Sequence, residues 1–379
     1  MDLVELGSIL HFEKGKKPVS QSDSLTEGFL PYVDIEAFET GKIKQYTDGT
    51  KCTPCDDGDI LIVCDGSRSG LVGRAVKGYV GSTLAKISAE GLSNRYLFRF
   101  VQGKYSLLNT KKKGTGTPHL NQELLKQQML IVPSLPEQER IVARIEELFS
   151  QLDAGVETLK KTKAQLAVYR QAVLKEAFAG LTEKKPIREM SSIVTSGSRG
   201  WAQYYADRGA RFIRITDLTR DGIQLKNDSI QYVELPDKAE GKRSRLFCGD
   251  VLVSITADLG SIALIPENID EAYINQHIAM VRYNNPSQGE FMAWYLRSDW
   301  GQKDLLKNKR GGGKLGLGLD DIRDTPVPVV SDGAARQTVA FIDDRLSICD
   351  SIEQTVNTAL QQAEAMRQSI LKDAFEGRL

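Results

Sequence analysis

The sequence is short of the residues from which most catalytic and metal sites are built. Its 379 residues include five cysteines and three histidines. Five is an odd number, and only Cys52 and Cys55 stand close together, so reduced thiols in a cytosolic protein are expected rather than a disulfide framework. Cys52-x-x-Cys55 has no second such pair, and Cys64 falls in a predicted strand, so no zinc site is expected. His11, His119 and His277 have neither metal-ligand spacing nor an evident serine or cysteine partner. No apolar run approaches 18 residues, which excludes a helical membrane span. The start, MDLVELGSIL, lacks the basic and continuous apolar regions of a secretory leader. An excess of one charge is missing too: 50 lysines and arginines meet 50 aspartates and glutamates. Residues 1–135 hold 17 basic and 15 acidic side chains, and residues 181–333 hold 21 of each. A polyanion site therefore has to be a local patch, with the acidic charge placed elsewhere.

Nucleotide and methyl-transfer motifs are absent as well. There is no P-loop and no Asn-Pro-Pro-Tyr. Gly311-x-Gly313-x-x-Gly316 has the letters of a dinucleotide fingerprint but follows a lysine-rich helix end instead of a strand. Pro236-Asp237 with Glu240 and Lys242 has the letters of a nuclease motif, with acids too close together to come from separate strands. The chain reads as non-catalytic and without a cofactor of its own.

What the sequence does have is a long amphipathic stripe and an internal repeat. Over residues 136–182, Ile145, Leu152, Leu159, Leu166 and Val173 recur every seven residues, with Ile141, Leu148, Gly155, Thr162 and Tyr169 as a second seam. This spacing predicts one long coiled-coil-like helix, weakened in the middle by Gly155 and Thr162. Pro136 suits its first turn and Gly180 its stop. About 40 residues give a rod of roughly 60 Å, which cannot bury its stripe alone.

The repeat supplies a partner. YRQAVLKEAFAG, ending at Gly180, returns as MRQSILKDAFEG, ending at Gly377, an offset of 197. The offset drifts upstream: GDILIV at Gly58 matches GDVLVS at Gly249, and YVDIEAFETGKI at Tyr32 resembles FIRITDLTRDGI at Phe212. Rods of equal length thus follow globular parts of unequal length. The second helix, 334–379, offers Ile342, Ile352, Val356, Ala363 and Ile370 for pairing, together with Phe341, Ile348 and Leu360. Short β-type runs separated by Gly, Asp and Asn mark the globular parts, with helices expected over 94–111 and 290–307. The expected fold is α+β: two repeated mixed α/β domains at 1–135 and 183–333, and two long helices at 136–182 and 334–379. The helices form an antiparallel coiled coil in a pseudo-twofold molecule. Small residues at Gly155 and Thr162 would then allow the second helix a close approach.

Basic residues gather in the loops of both halves. KKKGTGTPHLN (111–121) and NKRGGGKLGLG (308–318) correspond, and cations beside glycine let ammonium groups and backbone amides reach phosphate together. The candidate nucleic-acid contacts are Lys14, Lys16, Lys17, Arg68, Lys111, Lys112 and Lys113 in the first half. In the second they are Arg199, Trp201, Lys242, Arg243, Arg245, Lys309, Arg310 and Lys314. Taken singly, each basic residue is better read as a solvated surface charge; as a set on two matching domains they favour a nucleic-acid face.

The layout resembles the specificity subunit of type I restriction–modification enzymes. The resemblance is carried by GDILIV and GDVLVS, by GTPHLNQELLKQQMLIVPSLPEQERIVARIEEL, and by the repeated helix ends. The second half departs from it at VPVVSDGAARQTVAFI, which lacks the Pro-Glu-Gln signature of 136–138. The resemblance implies two target recognition domains, each reading one half of a split, asymmetric target in double-stranded DNA, and paired helices that set the distance between the halves. It further implies two modification (methyltransferase) subunits docked on the helices and restriction subunits that translocate and cleave. S-adenosylmethionine, ATP and magnesium would then sit only on those partners, in the cytoplasm of a prokaryote. A rod of roughly 60 Å matches about 17–18 base pairs of duplex. The competing reading is a protein-binding scaffold with a coiled-coil spacer and no DNA contact.

Overall fold

The computed structural model describes residues 3–113, 118–236, 242–307, 309 and 315–379. The chain forms two compact units, Met1–Lys160 with Asn357–Leu379, and Lys161–Val356.

Among its described residues the first unit contains strands β1 (Leu3–Glu5), β2 (Leu10–Lys14), β3 (Leu30–Val33), β4 (Tyr46–Thr47), β5 (Pro54–Cys55), β6 (Ile60–Val63), β7 (Val72–Arg74), β8 (Gly78–Val80), β9 (Leu84–Ala89) and β10 (Met129–Ile131). Helices α1 (Ile35–Thr40), α2 (Asn94–Gly103), α3 (Tyr105–Thr110) and α4 (Gln122–Lys126) lie between them, and α5 (Leu135–Ala177) starts here. One antiparallel sheet has the order β2-β9-β6-β7; a second, β4-β3-β8-β5, pairs β3 and β8 in parallel; β1 pairs with β10.

The second unit repeats this plan. It contains β11 (Lys184–Pro186), α6 (Ile187–Met190), β12 (Ser191–Ser196), β13 (Tyr205–Ala206), β14 (Ala210–Ile213), β15 (Tyr232–Val233), β16 (Val251–Ser254), β17 (Ile262–Leu264), β18 (Ala272–Ile274), β19 (Ile278–Tyr283), α7 (Gly289–Arg297), α8 (Asp299–Leu305), α9 (Leu319–Arg323), β20 (Pro326–Pro328) and the start of α10 (Asp332–Phe375), whose residues from Asn357 on belong to the first unit. Its sheets are β12-β19-β16-β17 and β13-β15-β14-β18, with β14 parallel to β18, and β11 pairs with β20.

The Gly-Asp pair before each central strand has a physical cause. Gly58 and Gly249 both sit at φ 83°, a region that favours glycine. The carboxylate that follows accepts from the backbone three residues back: Asp59 from the Asp56 amide at 3.0 Å, Asp250 from the Phe247 amide at 2.8 Å. The turn then delivers four apolar side chains, Ile60 to Val63, into the core, each worth about 1.5–3 kcal/mol on burial.

The helices expected at 94–111 and 290–307 are each two helices. Ser298 adopts an extended backbone and its hydroxyl accepts from the Gly301 amide, ending α7 and starting α8. In the first unit the break falls at Lys104.

Helix α5 spans 43 residues and α10 spans 44. Past their ends Gly180 (φ 79°), the expected stop of the first helix, and Gly377 (φ 74°) take up left-handed conformations. In the first unit the start of α5 packs on the end of α10, through Ile145, Phe149, Leu371 and Ala374. In the second, Val173 and Leu174 share a core with Ile342 and Leu346. Within each unit the pairing is therefore antiparallel.

The details of the seam differ from the heptad reading. Ile145, Leu166, Val173, Ile342, Val356 and Ala363 are buried, and Leu152, Leu159 and Ile370 half-buried. Ile352 is 40% exposed and Ile348 53%. The buried positions between Ile342 and Val356 are Leu346 and Cys349. On α5 the second seam is Val142 and Phe149, one residue beyond Ile141 and Leu148, because Phe149 stands four residues after Ile145 and so shares its face. Gly155 is exposed and a Cβ there would meet nothing within 4 Å, so it does not mediate a close approach.

Two ion pairs bridge the helices at matching positions. Arg170 holds Asp350 at 2.5 Å and Glu353 at 2.9 Å in the second unit; Arg367 holds Asp153 in the first. Asp153 and Asp350, like Arg170 and Arg367, differ by the repeat offset of 197.

Candidate nucleic-acid interface

In the first unit the loop after β6, residues 64–70, meets the loop after α3. The Gly66 amide donates to the Pro118 carbonyl at 2.8 Å, and Leu120 donates to Cys64 at 2.8 Å. Buried Ser69 donates to Gly66 at 2.8 Å, and the Asn109 amide donates to Ser67 and Ser69 at 2.9 and 3.0 Å. Sequence-distant basic residues thereby come to one strand end. Lys14, the last residue of β2, reaches Asp65 at 2.7 Å, and the other oxygen of Asp65 lies 2.8 Å from His119 Nδ1. Burial pushes the Asp65 carboxyl up, but the bonds from Lys14 and His119 outweigh it and hold the group below its ordinary value.

Several predicted cations are thus committed internally. Lys14 holds Asp65, Arg68 holds Glu39 of α1, and Lys112 donates to the Ser67 carbonyl at 2.9 Å. They brace the loop as well as charge it. Lys16, Lys17, Lys111 and Lys113 are exposed. Lys113 also ties the loop by its backbone, exchanging hydrogen bonds of 2.9 and 2.8 Å with His119.

The second unit builds the same strand end with other side chains. Leu317 donates to Ile255 at 2.9 Å, in the place of Leu120 on Cys64. Thr256 stands where Asp65 does, bridging to Gly316 as Asp65 bridges to His119. The Thr256 hydroxyl lies 2.6 Å from His277 Nδ1, and the amide of Gln276 reaches His277 Nε2 at 3.1 Å. Gly197 crosses the backbone of the strand end so closely that a Cβ would stand 1.8 Å from the Ile274 carbonyl oxygen; Gly15 meets Gly81 in the same way at 2.1 Å. Neither position has room for a side chain.

Beside Gly197 opens a polar cleft of about 480 Å³ lined by Ser198, Arg199, Gln203, Tyr204, Arg243 and Gln276, among others. Arg199 and Arg243 therefore converge. Trp201 is 4% exposed, stacked 5.5 Å from Phe212 and edge-on to Tyr273. Its ring supports the cleft wall and is not open to stack on a base. Arg245 lies over Phe247, next to the Arg282–Asp250 pair at the start of β16, and not in the cleft. Lys309 is exposed. Arg310, Lys314 and the side chain of Lys242 lie outside the described residues, as do Gly311, Gly313, Asp237 and Glu240. Among the described residues no group of three or more His, Cys, Asp or Glu could hold a metal ion, and no helix is long and apolar enough to cross a membrane.

Residues 1–167 match the family model of the type I restriction modification DNA specificity domain. Similarity to type I specificity subunits extends well beyond it. The chain is 25% identical over 329 residues to the MjaVIII specificity subunit of Methanocaldococcus jannaschii, covering 81% of this chain and 76% of that protein. It is 22% identical over 356 residues to the EcoBI specificity subunit of Escherichia coli, covering 85% and 73%. In fold it resembles a chain solved in a study of assembly and conformational transition of the type I R-M system, with a TM-score of 0.77, 19% identity and coverage of 100% and 98%. The HsdS subunit of Thermoanaerobacter tengcongensis aligns with a TM-score of 0.54, 19% identity and coverage of 100% and 97%.

In both units, the sequence located the basic loops but not the groups that arrange them. Asp65 and His119, 54 residues apart, meet only through strand pairing, as do Thr256 and His277. The one available signal was position: Asp65 directly follows the GDILIV strand and His119 lies in the basic loop.

Proposed function

We propose that this chain is the DNA-recognition subunit of a type I restriction–modification complex and carries no chemistry of its own. Each unit reads one half of a bipartite, asymmetric target in double-stranded DNA. Modification subunits dock on the paired helices, and restriction subunits join them. S-adenosylmethionine, ATP and magnesium belong to those partners, and the complex works in the prokaryotic cytoplasm.

The observation that carries this reading is the strand end built twice with different side chains. Both units return a loop to the central strand by the same hydrogen bond, Leu120 to Cys64 and Leu317 to Ile255. One then presents Asp65, His119 and lysines, the other Thr256, Gln276 and arginines. Equal scaffolds bearing unequal donors and acceptors suit a target whose halves differ in sequence. Internal pairing of Lys14 with Asp65 and of Arg68 with Glu39 orients the loops without adding net charge, which agrees with a neutral chain. The scaffold reading without DNA contact leaves these matched basic loops without a purpose.

Two experiments test the proposal. The chain assembled with its modification subunit is titrated with a duplex library at several salt concentrations. Sequence-selective binding that weakens steeply with salt is expected; equal affinity for every duplex contradicts the reading. Inserting seven residues into both α5 and α10 should add about 10.5 Å of helix, or roughly three base pairs of spacer. An unchanged preferred spacer would remove the helices from that role.

A further inference from the structure

The two units differ at one matched place on their helices. In the first unit, Tyr96 and Phe100 of α2 grip Phe375 edge-on; in the second, Phe291 and Tyr295 of α7 grip Phe178 in the same way. This equates Arg95 with Glu290 and Arg99 with Trp294. The repeat offset equates Glu146 with Asp343, Phe149 with Leu346 and Asp153 with Asp350.

In the first unit the place is filled from within. Arg95 and Arg99 hold Glu146 at 2.5 and 3.4 Å, and the Arg99 guanidinium lies 5.1 Å over the Phe149 ring. In the second unit both arginines are missing and an acid replaces one of them. A pocket of about 220 Å³ opens instead, lined by Arg170, Asp221, Trp294, Asp343, Ser347 and Asp350, among others. Arg170 is already taken by Asp350 and Glu353, and Asp221 faces Arg297. Asp343 has no ion-pair partner among the described residues. Burial pushes its carboxyl up; burial and the charge of Asp343 do the same to Glu290. The indole N–H of Trp294, a residue 4% exposed, has no acceptor.

We propose that this pocket on the second unit receives an arginine side chain of the modification subunit, in the position that Arg99 fills internally in the first unit. The guanidinium pairs with Asp343 and lies against Trp294, and a backbone carbonyl beside it accepts from the indole. The site rests on the functional reading above, which supplies the partner. It makes docking at the two units unequal: the first unit is satisfied by its own arginines, the second by the partner's.

The test measures assembly of the full chain with the modification subunit by mass photometry and titration. Two double variants are compared with the wild type: Glu290→Gln with Asp343→Asn, which removes the charge, and Glu290→Arg with Trp294→Arg, which copies the first unit. The near-isosteric first variant keeps the test informative if the second misfolds. We expect the first to weaken binding of one modification subunit at least tenfold, giving one-to-one complexes where the wild type gives one-to-two, and the second, which fills the place from within as the first unit does, to keep both subunits bound. Unchanged stoichiometry and affinity in the first variant overturns the site alone. A wild-type chain that binds no modification subunit overturns the functional reading and the site with it.

Discussion

The matched ion pairs Arg367–Asp153 and Arg170–Asp350 lend themselves to two double-mutant cycles with different expected outcomes. Two unit charges about 4 Å apart near a protein surface attract by about 4 kcal/mol before desolvation and side-chain ordering are counted. The partners are far from fully buried: the side chains of Arg367 and Asp153 are 25% and 60% exposed. Solvent screening brings such a pair down to roughly 0.5–1 kcal/mol of coupling. The second unit should give less, below about 0.5 kcal/mol, because Arg170 also holds Glu353 at 2.9 Å and keeps that partner when Asp350 is removed. Each cycle uses the two alanine variants and their double. The free energy is that of local opening, from native-state hydrogen exchange of the α10 amides nearest each pair. Measurements at low salt and at about 0.5 M salt should show the coupling shrink as screening increases. A coupling of zero in the first unit at low salt, or a larger coupling in the second, refutes the reasoning.

Three further outcomes follow from the packing and the charges. Phe178→Ala removes a buried ring held edge-on by Phe291 and Tyr295 and should cost about 3–5 kcal/mol; a loss under about 1 kcal/mol in chemical denaturation would show that the helix end does not anchor the second unit. Cys349→Ser should cost about 1–3 kcal/mol by burying a hydroxyl, whereas Ile352→Ser should stay within about 0.5 kcal/mol; equal effects on unfolding would restore the heptad assignment. Asp65 is held below its ordinary value, so it stabilises the fold above the ordinary carboxylate range, and that contribution is lost as pH falls through its folded value. Asp65→Asn should therefore flatten the acid limb of the stability curve, and an unchanged limb would contradict the Lys14–Asp65–His119 arrangement.

The parts of the fold that a period or a repeat can carry were legible in the sequence. Both long helices, their glycine stops and the two Gly-Asp strands follow from local spacing and φ requirements. The exact seam was not legible, because a seven-residue count does not follow a helix of 3.6 residues per turn, and polar Glu353 and Arg367 occupy seam positions. That misplaced Ile352 and Gly155. At the candidate site, cation-rich loops announce themselves by composition. Which cations are spent holding carboxylates and carbonyls, as Lys14, Arg68 and Lys112 are, depends on segments 29 to 51 residues apart meeting in the fold. Trp201 illustrates the opposite error: an aromatic next to arginine and glycine looks exposed in sequence, yet Phe212 and Tyr273 enclose it.

The central claim, that each unit reads its own half of one target, is tested most directly by methylome sequencing. Cells expressing the wild-type chain with its modification subunit are compared with cells expressing a Lys16→Ala, Lys17→Ala, His119→Ala variant altered only in the first unit. The account predicts one bipartite methylated motif in the wild type and, in the variant, relaxed or lost bases confined to one half of that motif. Changes spread over both halves, or no methylated motif in the wild type, would contradict it.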